Sequence, residues 1–268
     1  MGPLTVGQPM PSSEIEDLNP FILLHHGRNI FEANSQSRLG PHPHRGFEPV
    51  TFLFDGEIEH RDSEGNIGML EAGDVQWMTA GSGIIHSEGP SENLLKNGGK
   101  LQLIQLWVNL MSVNKMTQPK YQDIKSSKMP SVSDNANIKL KLVSGNFEDK
   151  KGPAETFSPI ITIFGEIKAG EKISFDFNPN WHTSLYILEG ELLLTNLGRV
   201  TDEIFVVFNY ENGIIELEAI KNTKVLLLSA EPILEKFVAH GPFVMNNHSQ
   251  INQAILDYQS GKMGVLDK

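Results

Sequence analysis

Two short segments carry side chains of the kinds that bind metals. His42 and His44 are separated by one residue in the first segment, and His86 and Glu88 have the same spacing in the second. In a β-strand, side chains at i and i+2 point to the same face, so each pair can face one cavity. Three imidazoles and one carboxylate converging there would form a mononuclear divalent-metal site. Imidazole–carboxylate sets with open positions are typical of non-heme iron(II).

A second carboxylate competes for this site. Glu48 follows His44 by four residues on the same strand parity, so its side chain could also face inward. The residues alone therefore leave five candidate ligands. His60 ends an alternating segment and precedes Arg61-Asp62, so we interpret it as a surface or supporting residue rather than a ligand.

The elements that must position these residues have the pattern of short β-strands. Val50 to Phe54 is followed by Asp55-Gly56, a strong hairpin signal, and by an alternating second strand. Similar short segments separated by turn residues continue through most of the chain, which indicates an all-β sandwich or barrel. Near the end, apolar residues at helical spacing predict a helix over Ser249 to Lys262, with Asn247 as its N-terminal cap.

The second half of the chain partly repeats the first. Phe52–Glu57 matches Tyr186–Glu191 at an offset of 134 residues, and at that offset Asp176 and Asn178 replace the two histidines. This pattern predicts two copies of one β-barrel with a single metal site.

A polar segment broken by prolines, residues 111–135, is the best candidate for a linker. We therefore expect an N-terminal metal-binding domain over residues 1–125. The expected C-terminal domain, residues 126–268, has no metal site and ends in the helix.

Composition excludes several classes of function. The chain has no cysteine, which excludes disulfides and thiolate metal sites, and its net charge is −11 without any basic stripe, which disfavours direct binding to nucleic acid. No apolar run approaches the ~20 residues that span a bilayer. The segment Met1 to Pro20 has no basic start before an apolar core, so we expect a cytoplasmic protein.

A set of longer motifs is similar to one known family. These motifs are His42–Glu48, Asp55–Glu57, His60–Ser63, Gly73–Gly81, His86–Glu88 and Gly241–Asn246. Together they resemble the pirin family, and the resemblance covers nearly the whole chain. It implies two cupin barrels, each a double-stranded β-helix or jelly roll, with metal in the N-terminal barrel only. It also implies that His42, His44, His86 and Glu88 are the ligands, and that Glu48 is not.

The resemblance implies iron as the usual metal, with Mn, Co, Ni, Cu or Zn as other divalent candidates. Some members of the family resemble quercetin 2,3-dioxygenases, which open a flavonol ring with O2 and release carbon monoxide. This resemblance implies that a flavonol-like enol and O2 are the substrates. Glu88, or a hydroxide bound to the metal, would be the catalytic base that removes the flavonol hydroxyl proton.

The alternative function is an iron-dependent, redox-sensing transcription co-regulator that acts through a protein partner. It would use an exposed charged patch near the metal, for which Arg45 and Arg61 are candidates. Ser82 occupies a position where the family often has arginine, which weakens this alternative slightly. A metal-binding storage or stress protein without turnover is a third hypothesis.

Overall fold

The computed structural model describes residues 4–36, 39–209 and 214–266. Within these ranges the chain is built mainly of β-strands, with two α-helices and two short 3-10 helices, Ser112–Asn114 and Ser126–Lys128. None of the helices in the described ranges is long and apolar enough to cross a membrane. The prediction of an all-β chain with a helix near the C-terminus is therefore confirmed.

The chain divides into two compact units, Met1–Lys125 with Ile233–Lys268, and Ser126–Pro232. The elements of the first part of the chain are β1 (Thr5–Met10), β2 (Phe21–Phe31), β3 (His42–His44), β4 (Phe47–Asp55), β5 (Glu57–Asp62), β6 (Ile67–Glu71), β7 (Val75–Thr79), β8 (Ile84–Pro90), α1 (Glu92–Asn97), β9 (Gly99–Asn109) and β10 (Lys120–Ile124).

These strands form two sheets. One has the order β1-β2-β9-β4-β7-β10, and the other has the order β3-β8-β5-β6. Side chains from both sheets and from α1 share one apolar cluster: Phe31, Leu53, Ile58, Leu70, Leu94, Leu101 and Leu103. This packing fixes the four-stranded sheet, which carries the histidines, against the larger sheet.

The β4–β5 hairpin confirms the Asp-Gly turn signal. Gly56 has φ 89°, and a Cβ there would lie 2.6 Å from the carbonyl oxygen of Lys100, so the turn requires glycine. The segment expected to be a linker is in part a strand, since β10 pairs with β7 from Lys120 opposite Thr79 to Ile124 opposite Val75. Its polar composition did not reveal this edge position.

The second unit contains β11 (Ile138–Ser144), β12 (Asn146–Phe147), β13 (Lys150–Lys151), β14 (Ile160–Ile167), β15 (Lys172–Phe175), β16 (His182–Glu189), β17 (Glu191–Leu194), β18 (Gly198–Thr201), β19 (Phe205–Phe208), β20 (Ile215–Ala219) and β21 (Thr223–Ala230). Its two main sheets have the orders β11-β14-β21-β16-β19 and β15-β20-β17-β18. A large apolar cluster fills the space between them.

The chain then returns to the first unit through β22 (Val238–His240), β23 (Phe243–Met245) and α2 (His248–Gln259). The first unit in this division includes the C-terminal tail, whereas the sequence led us to expect residues 126–268 in one domain. Phe243, Met245 and Ile251 pack in one cluster with Ile85 of β8. Burial of these apolar side chains holds the tail on the first unit.

Candidate metal centre

The two histidine-bearing segments become neighbouring strands. β3 pairs with β8 so that His42 lies opposite His86, and β5 pairs with the other edge of β8 so that His60 lies opposite Glu88. Pro43 lies in the middle of the short strand β3, whose two flanking histidines point to one face as the i, i+2 spacing predicts.

Three imidazoles converge at this face. Ring centroids are 4.9 Å apart for His42 and His44, 4.3 Å for His42 and His86, and 4.9 Å for His44 and His86. Their nearest ring nitrogens all lie within 4.8 Å of one another. This is close enough for one cation to contact all three rings.

The hydrogen bonds leave at least one nitrogen of each ring available. His42 Nδ1 donates to the carbonyl of Gly40 at 3.0 Å, and His44 Nδ1 donates to the carbonyl of Pro242 at 3.4 Å. A carbonyl can only accept, so Nδ1 carries the proton in both rings and Nε2 has a free lone pair. His86 is fully buried, and neither of its nitrogens has a hydrogen-bond partner.

Two of these rings, His44 and His86, are held in the neutral form that a metal requires. Burial, reinforced by the nearby His42, lowers the pKa of His44 to about 3, although the hydrogen bond to Pro242 opposes the shift. Burial and the surrounding histidines also lower the pKa of His86 well below its ordinary value. An unpaired, buried, neutral imidazole is costly unless something binds it, so the donor set fits a divalent cation.

Glu88 lies at the edge of this cluster. Its carboxylate groups with His86 and His60, all within 4.8 Å, rather than with all three converging histidines. Gln76 Nε2 donates to Glu88 Oε2 at 2.6 Å, and Gln105 Nε2 donates to Oε1. Tyr121 in turn donates to Gln76 Oε1 at 3.3 Å. The carboxylate is therefore oriented by two amides on β7 and β9, strands of the other sheet.

Glu48 does not reach the cluster. Phe47, the preceding residue of β4, places its ring 5.1 Å from that of His44, so Glu48 points to the opposite face of the sheet. There its Oε1 accepts a hydrogen bond from Thr79 Oγ1 at 2.7 Å. Strand parity cannot be counted through from His44, because Gly46 separates β3 from β4 with φ 86°.

His60, which the sequence indicates as a surface or supporting residue, lies inside the site. It is fully buried, and its ring stacks on Tyr121 with centroids 4.4 Å apart. Its Nε2 lies 3.2 Å from Asp62 Oδ2, whereas its Nδ1 has no hydrogen-bond partner. His60 reaches the site because β5 pairs with β8. A single sequence does not specify which strands pair, so it carried no signal for this position.

Arg45 is buried, which is inconsistent with an exposed patch. Its Nη1 lies 2.9 Å from Asp257 Oδ2 and its Nε donates to the carbonyl of Ser82 at 2.7 Å. Arg61 is about half exposed, and its guanidinium pairs with Glu59. Arg45 therefore contributes nothing to an exposed charged patch, and the positive charge of Arg61 is balanced by Glu59.

The equivalent positions of the second unit are apolar. β20 lies between β15 and β17 as β8 lies between β3 and β5. Phe175 pairs with Ile215 as His42 pairs with His86, and Leu194 pairs with Leu217 as His60 pairs with Glu88. By the i, i+2 rule, Phe177 then corresponds to His44.

This register corrects the expected correspondence to Asp176 and Asn178. The segment that leads from the ligand strand into the shared hairpin is one residue longer in the second unit, so a constant offset fails there. Phe175, Phe177 and Leu217 are buried in the core cluster, and Ile215 packs against it. These side chains offer a cation no ligand atoms.

Models of known protein families match both halves of the chain. The Pirin family model matches residues 4–108, and the model of the Pirin C-terminal cupin domain matches residues 164–264. The chain belongs to the pirin family. Its two units are cupin barrels, as the sequence predicts.

Several relatives match along nearly their full lengths. A Pseudomonas aeruginosa protein provisionally named a quercetin 2,3-dioxygenase is 40% identical, over 92% of this chain and 87% of its own. Pirin of Homo sapiens is 32% identical, over 97% of this chain and 87% of its own. The crystal structure of quercetin 2,3-dioxygenase from Acinetobacter baumannii has TM-score 0.91 and 36% identity, covering 98% of this chain and 92% of that one.

Proposed function

We propose that this pirin is a metal-dependent dioxygenase that opens the ring of a quercetin-like flavonol with O2. His42, His44 and His86 would hold the metal together with Glu88, and iron(II) is the metal we propose. The observation that carries the proposal is at His86. Both of its buried ring nitrogens lack a hydrogen-bond partner, and two further imidazoles converge next to it. The names of relatives that share most of the chain support the substrate class.

The overall reaction balances without a further reductant. A flavonol and O2 become one ester of two aromatic acids and one molecule of carbon monoxide, so both oxygen atoms enter the products. A bound divalent metal supplies Lewis acidity for the enol oxygen and open positions for ligands.

The protein's own part begins with the hydroxyl proton of the flavonol. We propose that Glu88 accepts this proton, because it is the carboxylate beside the imidazoles and has lone pairs left after its two amide hydrogen bonds. Gln76 and Gln105 fix the carboxylate on both sides. They keep its position constant while its charge changes.

An apolar wall lies next to Glu88. Ile58, Leu101 and Leu103 line a cavity of about 30 Å³ whose other lining residues include Leu4 and Leu39. A space of this size holds about one water molecule. A flavonol ring would therefore enter only with displacement of side chains at the rim, and the wall would favour an aromatic over a charged substrate.

The test combines metal analysis with an aerobic quercetin assay on the wild type and His44→Ala. We expect the wild type to bind one metal ion per chain, to consume O2 and to release carbon monoxide. His44→Ala should keep its circular dichroism spectrum but lose metal, with activity reduced at least about 100-fold. Wild-type protein with stoichiometric iron that consumes neither quercetin nor O2 would refute the proposed activity.

The co-regulator is the second candidate carried from the sequence. Burial of Arg45 against Asp257 removes one of the two residues that supported it. A pull-down in which a protein partner binds only one oxidation state of the iron would favour the regulator. Equal capture in both states, together with flavonol turnover, would favour the enzyme.

A further inference from the structure

The C-terminal tail reaches the strand that carries the first two histidines. The Pro242 carbonyl accepts from His44 Nδ1 at 3.4 Å and from the backbone N–H of Arg45 at 3.4 Å. The N–H of Val244 then donates to the carbonyl of Arg45 at 3.0 Å. A Cβ on Gly46 would lie 2.0 Å from the Val244 oxygen, so the glycine permits this close approach.

A buried lysine adds a second attachment at the same place. Lys115 is 1% exposed, and its Nζ donates to the carbonyls of Gly46 at 2.9 Å and Val244 at 3.0 Å. Its third hydrogen bond goes to Asn109 Oδ1 at 2.6 Å. Lys115 therefore links Val244 of the tail to Gly46, two residues after His44.

The helix that follows contributes an ion pair. Asp257 of α2 pairs with Arg45 at 2.9 Å, and the two side chains are 11% and 5% exposed. Its other oxygen accepts from Gln253 Nε2 at 2.9 Å and from Lys262 Nζ at 2.8 Å. Removing one member of a buried ion pair leaves the other uncompensated, so Arg45 depends on Asp257.

Arg45 connects this pair to both halves of the candidate metal centre. It directly follows His44, and its Nε donates to the carbonyl of Ser82 in the loop that leads into β8 and His86. One guanidinium therefore fixes the spacing between the two ligand segments. Without its carboxylate partner, the guanidinium would turn toward water and release the Ser82 carbonyl.

We infer that Asp257 is a positioning residue for the metal centre, acting through Arg45, and that metal binding and docking of the C-terminal helix strengthen each other. This inference rests on the proposed metal ligands. The coupling is reciprocal by thermodynamic linkage: whatever the docked helix adds to metal affinity, the metal adds to helix docking.

The first test measures Ni²⁺ affinity by chelator competition in the full-length wild type, Asp257→Ala and Asp257→Asn. We expect both variants to bind Ni²⁺ about 10- to 100-fold more weakly, as is typical when a residue that supports metal ligands is changed. The visible spectrum of bound Co²⁺ should also change in these variants, because it reports ligand geometry rather than overall stability.

Lys262→Met is the matched control. It removes another partner of the same carboxylate, but Lys262 is 65% exposed and leaves the Arg45 contact in place. We expect its Ni²⁺ affinity to stay within about twofold of wild type. Equal loss of affinity in Lys262→Met and Asp257→Ala would mean that general weakening of the helix is the cause, and would overturn the inference.

The second test measures the coupling at the helix. Hydrogen–deuterium exchange of residues 248–259 in the wild type should slow when Ni²⁺ is added and should respond less in Asp257→Asn. Unchanged exchange in wild-type protein that has bound Ni²⁺ would overturn the coupling. Wild-type protein that binds no Ni²⁺ would instead refute the proposed metal centre, so the two failures are distinguishable.

Discussion

At the scale of single residues, the two carboxylates near the histidines have opposite environments. Glu88 accepts hydrogen bonds from two amides beside the imidazoles. Glu48 is 1% exposed on the other face of its sheet, and burial raises its pKa to about 7 even though Thr79 donates a hydrogen bond to it. Glu88 is therefore suited to metal ligation or proton transfer. Glu48 instead lowers the stability of the folded protein when it ionises at higher pH.

The raised pKa of Glu48 predicts a pH-dependent gain in stability for Glu48→Gln. Folded protein holds the proton that unfolded chains release above about pH 4.5, so wild type loses stability as pH rises from there to about 7. Glutamine removes this loss, and we expect up to about 3 kcal/mol more stability than wild type at pH 8 but little difference at pH 4.

Urea denaturation of metal-free protein at both pH values measures this effect. Glu64→Gln, which changes an exposed carboxylate, is the matched control and should show little gain at either pH. A Glu48→Gln variant no more stable than wild type at pH 8 would mean that Glu48 is ionised at little cost in the folded state.

The roles of His60 and His86 can be separated by the metal content of single variants. His60 Nε2 is already oriented by Asp62, and its ring stacks on Tyr121, so we expect it to support the site without holding the metal. His60→Gln should keep one metal ion per chain, while His86→Gln should bind none at stoichiometric loading. Elemental analysis after gel filtration decides this, and loss of metal in His60→Gln would make His60 a ligand.

At the scale of elements, local patterns predicted the hairpins and the helix. The Asp55-Gly56 turn, the paired histidines of β3 and the cap at Asn247 each depend on residues close in sequence. The docking of the tail and the pairing of β10 with β7 depend on distant partners. Periodicity shows that such segments are extended or helical, but it does not show what they pack against.

The cap of α2 predicts a modest loss of stability. Asn247 Oδ1 accepts from the N–H of Gln250 at 3.0 Å, satisfying one of the free donors at the start of the helix. Asn247→Ala should destabilise the folded first unit by about 1 kcal/mol. Thermal unfolding checks this against Ser249→Ala, an exposed change on the same turn that should have little effect; equal shifts would contradict the capping role.

At the scale of the whole molecule, the sequence predicted a repeated barrel and one metal site, but not the residues that replace the ligands. The hairpin repeat located the second barrel, whereas a one-residue difference in length shifted the ligand correspondence from Phe175 and Phe177 to their polar neighbours. The register between paired strands corrects this. It also gives a stronger reason for a single site, since buried phenylalanines bind no cation.

The two barrels therefore predict a stoichiometry. The full chain should bind one divalent ion, and His42→Ala with His44→Ala should bind none, because the described positions of the second barrel that are equivalent to the ligands are apolar. Isothermal titration of metal-free protein with Ni²⁺ measures both values. A residual tight site in the double variant would place a cation elsewhere in the chain.

The most direct test of the metal centre is anomalous X-ray scattering from crystals grown with iron(II) or Ni²⁺. We predict one strong peak per chain, between the Nε2 atoms of His42 and His44, a ring nitrogen of His86 and the carboxylate of Glu88. No peak at these residues, or a peak held by His60, His86 and Glu88 without His42 and His44, would contradict the account.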